Sequence, residues 1–308
     1  MRGSDGMQET LFTMSKLDDF VPSDHPLRSI QVLVDGALVR LNGLFNEIYA
    51  DTGRASIAPE KLIRALLLQV FYSVRSERQL VEQLRYNLLF RWFVGLAIDD
   101  AVWDHSVFSK NRDRLLEHAV VEAFFTEVMR VANAKGLLST EHFSVDGTLI
   151  QAWASHKSFR PKDGSDDQWP SGPGRNAQAD WKGKPRANDT HESSTDPDAR
   201  LFRKSDNTAS ILCYQGHVLM ENRSGLVVGA VVTHADGRGE RAAALAMLDT
   251  VPGKQPKSVG ADKAYDTRDF IDACRVRNVI PHVACNDTRR GGSAIDGRTT
   301  RHTAYALS

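Results

Sequence analysis

The chain has 308 residues with 41% hydrophobic content, so two domains of ordinary size are expected and wholesale disorder is excluded. It contains no run of about 18 apolar residues, which excludes a spanning helix, and residues 1–9 lack the apolar stretch of a secretory signal. Lys plus Arg is 39 and Asp plus Glu is 39, which excludes a histone-like basic coat but leaves room for a local basic face that binds nucleic acid.

Residues 25–135 read as helical. Pro59 sits at a first helical turn, followed at helical spacing by Leu62, Ile63, Leu66, Leu67, Val70 and Phe71. Ser76 with Gln79 forms a capping pattern ahead of Leu80, Val81, Leu84 and Leu88. Asn87 to Val94 predicts a short helix closed by Gly95, and Asp104 caps the next one. Val120 to Ala134 is a further helix, stopped by Gly136.

After Gly136 the period changes. His142 to Ile150, Ile211 to Met220, Leu226 to Thr233, Ser258 to Ala261 and Val279 to Val283 predict five strands. Asn222 to Gly225 is the turn of a hairpin, and helices are expected at Arg238–Leu248 and Thr267–Val276. The order is that of a mixed sheet flanked by helices. Between the first two strands lies a polar insert, residues 155–205, expected to be disordered because it offers little apolar surface to bury. Trp153, Trp169 and Trp181 in or beside it either pack loosely or stack on nucleic acid.

Cys213, Cys274 and Cys285 form no C-x-x-C pair, so neither a disulfide framework nor a structural zinc site is supported, and a reducing cytoplasm is expected. His105, His142, His217, His234 and His282 are scattered and read as structural. Gly237-Arg238-Gly239-Glu240 reads as a loop entering a helix and not as a phosphate cradle.

Two aspartates stand out. Asp146 follows Phe143-Ser144-Val145 and Asp262 follows Val259-Gly260-Ala261, each at or near the end of an apolar strand-like run. Spacing alone leaves two readings open. One is turn capping, as at Asp146-Gly147. The other is a pair of hard oxygen ligands for Mg2+ or Mn2+, suited to two-metal attack on a phosphodiester.

Ser144-Val145-Asp146-Gly147-Thr148, with Ile150-Gln151-Ala152, and Ala261-Asp262-Lys263-Ala264-Tyr265-Asp266 resemble the first two catalytic motifs of DDE transposases. The nearest likeness is to bacterial insertion-sequence transposases of the insertion-sequence-5, InsH-like family. Asp24-His25-Pro26-Leu27-Arg28, Leu62 to Gln69, Ser76-Glu77-Arg78-Gln79-Leu80 and Trp103-Asp104-His105-Ser106 with Phe108-Ser109-Lys110 resemble that family too, in the same order along nearly the whole chain. The resemblance implies an α+β protein. A helical DNA-binding domain over 1–136 would precede an RNase H-like mixed-sheet α/β domain over 137–308, incomplete at its C-terminus.

It also implies binding of double-stranded DNA at insertion-sequence ends and at the target, a possible homodimer, and cleavage and strand transfer with Mg2+ or Mn2+. Asp146 and Asp262 would be the catalytic metal ligands, and Lys263 a phosphate contact or a solvated lysine. Tyr265 would shape the turn, and Asp266 would cap the following helix. A helix-turn-helix built from Ser76–Val94 and Asp104–Leu116 would turn Ser106, Ser109, Lys110, Arg112 and Arg114 toward DNA, with Arg78, Arg85 and Arg91 as a second basic row. The C-terminal stretch adds Arg275, Arg277, Arg289, Arg290, Arg298 and Arg301, of which Arg289 and Arg290 are DNA-binding candidates.

The family needs a third carboxylate, a glutamate on a helix after the fifth strand. The last glutamate here is Glu240. Asp287 and Asp296 lie in loop-like sequence, so truncation and impaired activity are expected. Two alternatives remain: a non-catalytic DNA-binding relic or regulator of an intact transposase, and an unrelated two-metal phosphodiesterase.

Overall fold

The computed structural model describes residues 1–7, 16–50, 52–164, 186–204, 207–237, 239–288 and 291–307. The chain divides into two compact units, Met1–Gly136 and Leu137–Ser308.

The first unit is helical: α1 (Pro26–Arg40), α2 (Asn42–Ile48), α3 (Pro59–Phe71), α4 (Glu77–Tyr86), α5 (Leu88–Val94), α6 (His105–Glu117) and α7 (Val120–Ala134). Local chemistry sets the ends. Pro59 opens α3, and the side chains of Ser76, Asn87 and Asp104 accept from the backbone N–H groups of Gln79, Phe90 and Ser106. Gly95 and Gly136 take left-handed φ values of 84° and 68° where α5 and α7 stop. Leu38, Phe45, Leu62, Leu68, Leu80, Leu84, Phe93 and Phe108 form the buried centre.

The second unit contains β1 (His142–Gln151), β2 (Phe159–Pro161), β3 (His191–Ser193), β4 (Arg200–Phe202), β5 (Ile211–Glu221), β6 (Leu226–His234), α8 (Gly239–Thr250), β7 (Lys257–Ala261), α9 (Arg268–Val276), β8 (Val279–Val283), α10 (Gly297–Thr300) and α11 (Thr303–Leu307). The main sheet runs β5-β1-β7-β8, with β6 and β4 side by side along the free edge of β5. β1 is antiparallel to β5 and parallel to β7, and β7 is parallel to β8. The architecture is mixed α/β. Phe143, Val145, Leu219, Val259 and Val283 pack with Ala244, Met247 and Leu248 of α8 and with Phe270, Ile271 and Cys274 of α9. Alternation along the strands leaves Ile150, Val218 and Met220 exposed on the opposite face.

All five predicted strands are present, and the expectation of a structureless insert is corrected for its described part. β2 pairs with β3 and β4 pairs with β5. Phe159 and Ala199 bury themselves with Ala152 and Leu212, a small apolar cluster that composition averaged over fifty residues conceals. Asn188 donates to the Leu201 carbonyl at 3.0 Å and accepts its N–H at 2.8 Å, which does the work of a missing strand neighbour. Trp169 and Trp181 lie outside the described residues.

Two further expectations change. Asp266 does not cap α9; Thr267 does, accepting from Phe270 N at 3.3 Å. Asp266 is instead buried and accepts from Asn286 N, Ser293 Oγ and Ala294 N at 2.6–2.8 Å, which ties down the loop after β8. Asp296 is also not in a featureless loop. It caps α10 through Arg298 N and pairs with Arg275 at 2.8 Å and Arg298 at 2.7 Å. The three cysteines are free. No helix among the described residues is long and apolar enough to cross a membrane.

Candidate active site

β1 and β7 position the two aspartates. Their parallel register pairs Ser144 with Gly260, the last aligned residues. Asp146 and Asp262 each lie two residues beyond that pair, Asp146 within β1 and Asp262 just past the end of β7. Gly260 permits the close approach, since a Cβ there would lie 3.3 Å from Ser144 Oγ. Both carboxylates are exposed. Asp146 Oδ1 accepts from Gly147 N at 2.8 Å, and Asp262 Oδ1 accepts from Ala264 N at 2.9 Å, capping the short turn Lys263–Tyr265. Asp262 therefore caps a turn, whereas Asp146 and Gly147 lie inside β1 and the turn-capping reading of that pair is overturned. Each aspartate keeps its second oxygen uncommitted among the described residues.

Beside them lies a group that sequence reasoning passed over. Glu240, in the first turn of α8, is half-buried and its Oε1 accepts from Gln215 Nε2 at 3.1 Å. A Cβ added to Gly147 would sit 3.1 Å from that same oxygen and 3.3 Å from His217 Nδ1, so glycine at 147 makes the arrangement sterically possible. Arg241, the next residue, reaches the Ala264 carbonyl at 3.3 Å, which holds this end of α8 against the turn that carries Asp262. Burial, followed by the negative charges of Asp262 and Asp146 and against the pull of Arg241, pushes the Glu240 carboxyl upward from its usual range. Burial and the charges of Glu240, Asp262 and Asp146 likewise push the Tyr265 hydroxyl up.

The sequence did contain a signal for this cluster. Residues at 213, 215, 217, 219 and 221 form the inward row of β5, and three of them, Gln215, His217 and Glu221, are polar yet almost fully buried. Polar residues at core parity in a strand need partners, and the first turn of α8 supplies one.

The donor set is oxygen-rich and acidic, which suits Mg2+ or Mn2+ and not zinc. Among the described residues, no three acidic, histidine or cysteine side chains already converge at ligand spacing. Mg2+ usually keeps several of its own waters, so a site of this kind does not require full convergence of protein ligands.

The DNA-facing candidates divide. Lys263 is exposed beside Asp262, and Lys110 is exposed on α6. Ser106 is spent on the Asp104 cap at 2.7 Å, and Ser109 donates to Glu77 and to the His105 carbonyl. Arg112 pairs with Glu77 and Asp113, and Arg114 stacks on Tyr49 with its guanidinium 5.1 Å from the ring centre. Arg91 is removed from the second basic row. It is buried and donates to the carbonyls of Leu84, Ala97 and Asp100, because α5 folds back against the end of α4. In the C-terminal stretch, Arg275 and Arg298 pair with Asp296, and Arg277 with Asp249. Arg289 and Arg290 lie outside the described residues. Trp153, just beyond the end of β1, is 97% exposed.

Residues 15–114 match the Transposase domain (DUF772), and residues 139–305, more than half the chain, match the Transposase DDE domain. No curated protein matches the sequence. Among solved structures, a Mos1 transposase paired-end complex with left transposon end is similar at 11% identity and a TM-score of 0.22, over 86% of this chain and 69% of that one, too slight a likeness to support any inference. The family matches indicate DNA transposition and place the protein among the transposase enzymes. The chain belongs to the Transposase DDE domain family.

Proposed function

We propose that this protein is an insertion-sequence transposase of the insertion-sequence-5, InsH-like type. It binds double-stranded DNA at element ends and carries out divalent-metal-dependent cleavage and strand transfer. The observation that supports this is the parallel pairing of β1 with β7, which ends two residues before Asp146 and Asp262, inside the region that matches the DDE domain. A mixed sheet with one of those acids on β1 and the other just after β7 supports an RNase H-like catalytic domain, and the helical unit before it supports a DNA-binding role.

Asp146 and Asp262 would hold the Mg2+ or Mn2+. When bound, the metal supplies activation of a water or 3′-hydroxyl and stabilises the leaving oxygen of the phosphodiester. The protein's own residues position the DNA. Lys263 faces a backbone phosphate beside the scissile bond. Lys110, Ser106, Ser109, Arg112 and Arg114 on α6, with Arg289 and Arg290, track the duplex. To do so, Ser106 must release Asp104, Ser109 must release Glu77, and Arg112 must exchange Glu77 and Asp113 for phosphate. Trp153 offers an exposed aromatic face for stacking against a base or sugar.

The alternative is a regulator that binds element ends without cutting them. The test is incubation of the purified chain with labelled duplexes carrying element ends, in Mg2+ and in Mn2+, beside Asp146→Asn and Asp262→Asn. Weak metal-dependent nicking that both variants lose supports the proposal, and nicking that survives both variants overturns it. End-specific binding without nicking, in gel shifts at two salt concentrations, selects the regulator.

A further inference from the structure

Resting on the reading of Asp146 and Asp262 as metal-binding, we propose that Glu240 is a third acidic residue of this site, lending its carboxylate to the divalent cation from the α8 side of the sheet. Strand alternation points Asp146 to the face opposite Phe143 and Val145, whereas Glu240 approaches from the face that α8 covers. Only the backbone of β1 lies between them, and with no side chain at 147 the Glu240 carboxylate can come up against that backbone. The Arg241 bond to the Ala264 carbonyl brings the same helix turn against the loop that begins at Asp262.

A second, independent feature shows that the place is built for a ligand. Three polar atoms without hydrogen-bond partners among the described residues lie around Glu240: His217 Nδ1, Gln215 Oε1 and Tyr265 OH. Their residues are only 1%, 2% and 2% exposed. His217 is held by Thr233 Oγ1 at 2.8 Å through Nε2, which leaves Nδ1 directed to the Gly147 gap. Gln215 spends its amide N–H on Glu240 and leaves its carbonyl oxygen without a donor. Burying polar atoms unpaired costs free energy unless a ligand or its waters complete them. A hydrated cation supplies both the positive charge that three carboxylates lack and the water protons that Gln215 Oε1 requires.

The test is calorimetric titration of the full 308-residue chain with Mn2+, without DNA. Wild type is expected to bind. Asp146→Asn, Asp262→Asn and Glu240→Gln are each expected to weaken binding about tenfold or more. Glu240→Asp keeps the charge but withdraws it by one methylene, and an intermediate loss of about threefold is expected. Circular dichroism shows whether each variant is folded; should Glu240→Gln not fold, Glu240→Asp decides. Wild-type affinity in the folded Glu240 variants, with loss in both aspartate variants, overturns the role of Glu240 and leaves the two-aspartate site standing. Wild type that binds no Mn2+, or aspartate variants that bind as wild type does, overturns the two-aspartate reading itself.

Discussion

The two units differ in where their unmet buried polar groups lie. In the helical unit, Arg64 is buried and meets Asp5 and Asp35 at 2.7–3.0 Å, while Arg91 is buried and spread over three backbone carbonyls. The partnerless polar atoms there, Tyr49 OH, Glu60 Oε2, Trp103 Nε1 and Asn111 Oδ1, are distributed over separate elements. Among the described residues of the sheet unit, three of the four such atoms gather about Glu240. A buried charge that finds its partners within the chain serves the fold. On the proposed reading, the concentration of unmet polar groups beside the two aspartates serves a ligand the chain receives from outside.

This contrast can be broken experimentally. The largest effect is expected from Asp262→Asn or Asp146→Asn. Metal-dependent nicking should fall on the order of a thousandfold, equivalent to about 4 kcal/mol of transition-state stabilisation, while the unfolding midpoint barely moves because both side chains are exposed. Equal losses of stability and activity would erase the distinction between the units. Arg91→Ala should do the reverse and lower unfolding free energy by about 3 kcal/mol or more, since it strands three carbonyls and leaves a void. Denaturant titration of the full chain reads this loss.

Gly147→Ala falls between the two. The added methyl meets Glu240 Oε1 at 3.1 Å, so a stability loss of about 1–2 kcal/mol and weaker Mn2+ binding are expected together. The smallest effect concerns Asp296. Its hydrogen bond from Arg298, aided by the charge of Arg275, holds the carboxyl down at about 2, against an ordinary 3.8. A depressed carboxyl contributes stability that is present above its unfolded pKa and lost as pH falls through the folded one. The difference in midpoint between wild type and Asp296→Asn should therefore be constant near neutrality and shrink between about pH 4 and pH 2, as thermal melts across that range would show.

Most elements were legible because their determinants are local. Ser76, Asn87 and Asp104 sit within three residues of the N–H groups they cap, and the apolar spacing of α3 needs only its own turn. The strands from β5 onward announced themselves by β-branched runs and by the Asn222–Gly225 turn. Asp146 and Asp262 were also legible, since an acid at the edge of an apolar run is conspicuous. β2, β3 and β4 were not, because each has three residues and exists only through a partner distant in sequence. Arg91 was placed on a basic row because helical spacing reports which residues share a face, but not whether a neighbouring helix covers that face.

Glu240 marks the boundary between the two kinds of information. By itself the sequence determined the element order, the helix ends, the two aspartates and the transposase resemblance, all of which follow from short-range patterns. Only the tertiary structure decided that a glutamate ahead of the second motif lies near both aspartates, with Gln215, His217 and Tyr265 buried around it. The reason is physical. Strand pairing brings residues 147 and 217 opposite each other, and the crossover helix returns residue 240 over them. No spacing rule along the chain encodes a meeting of three segments through a glycine that leaves them room.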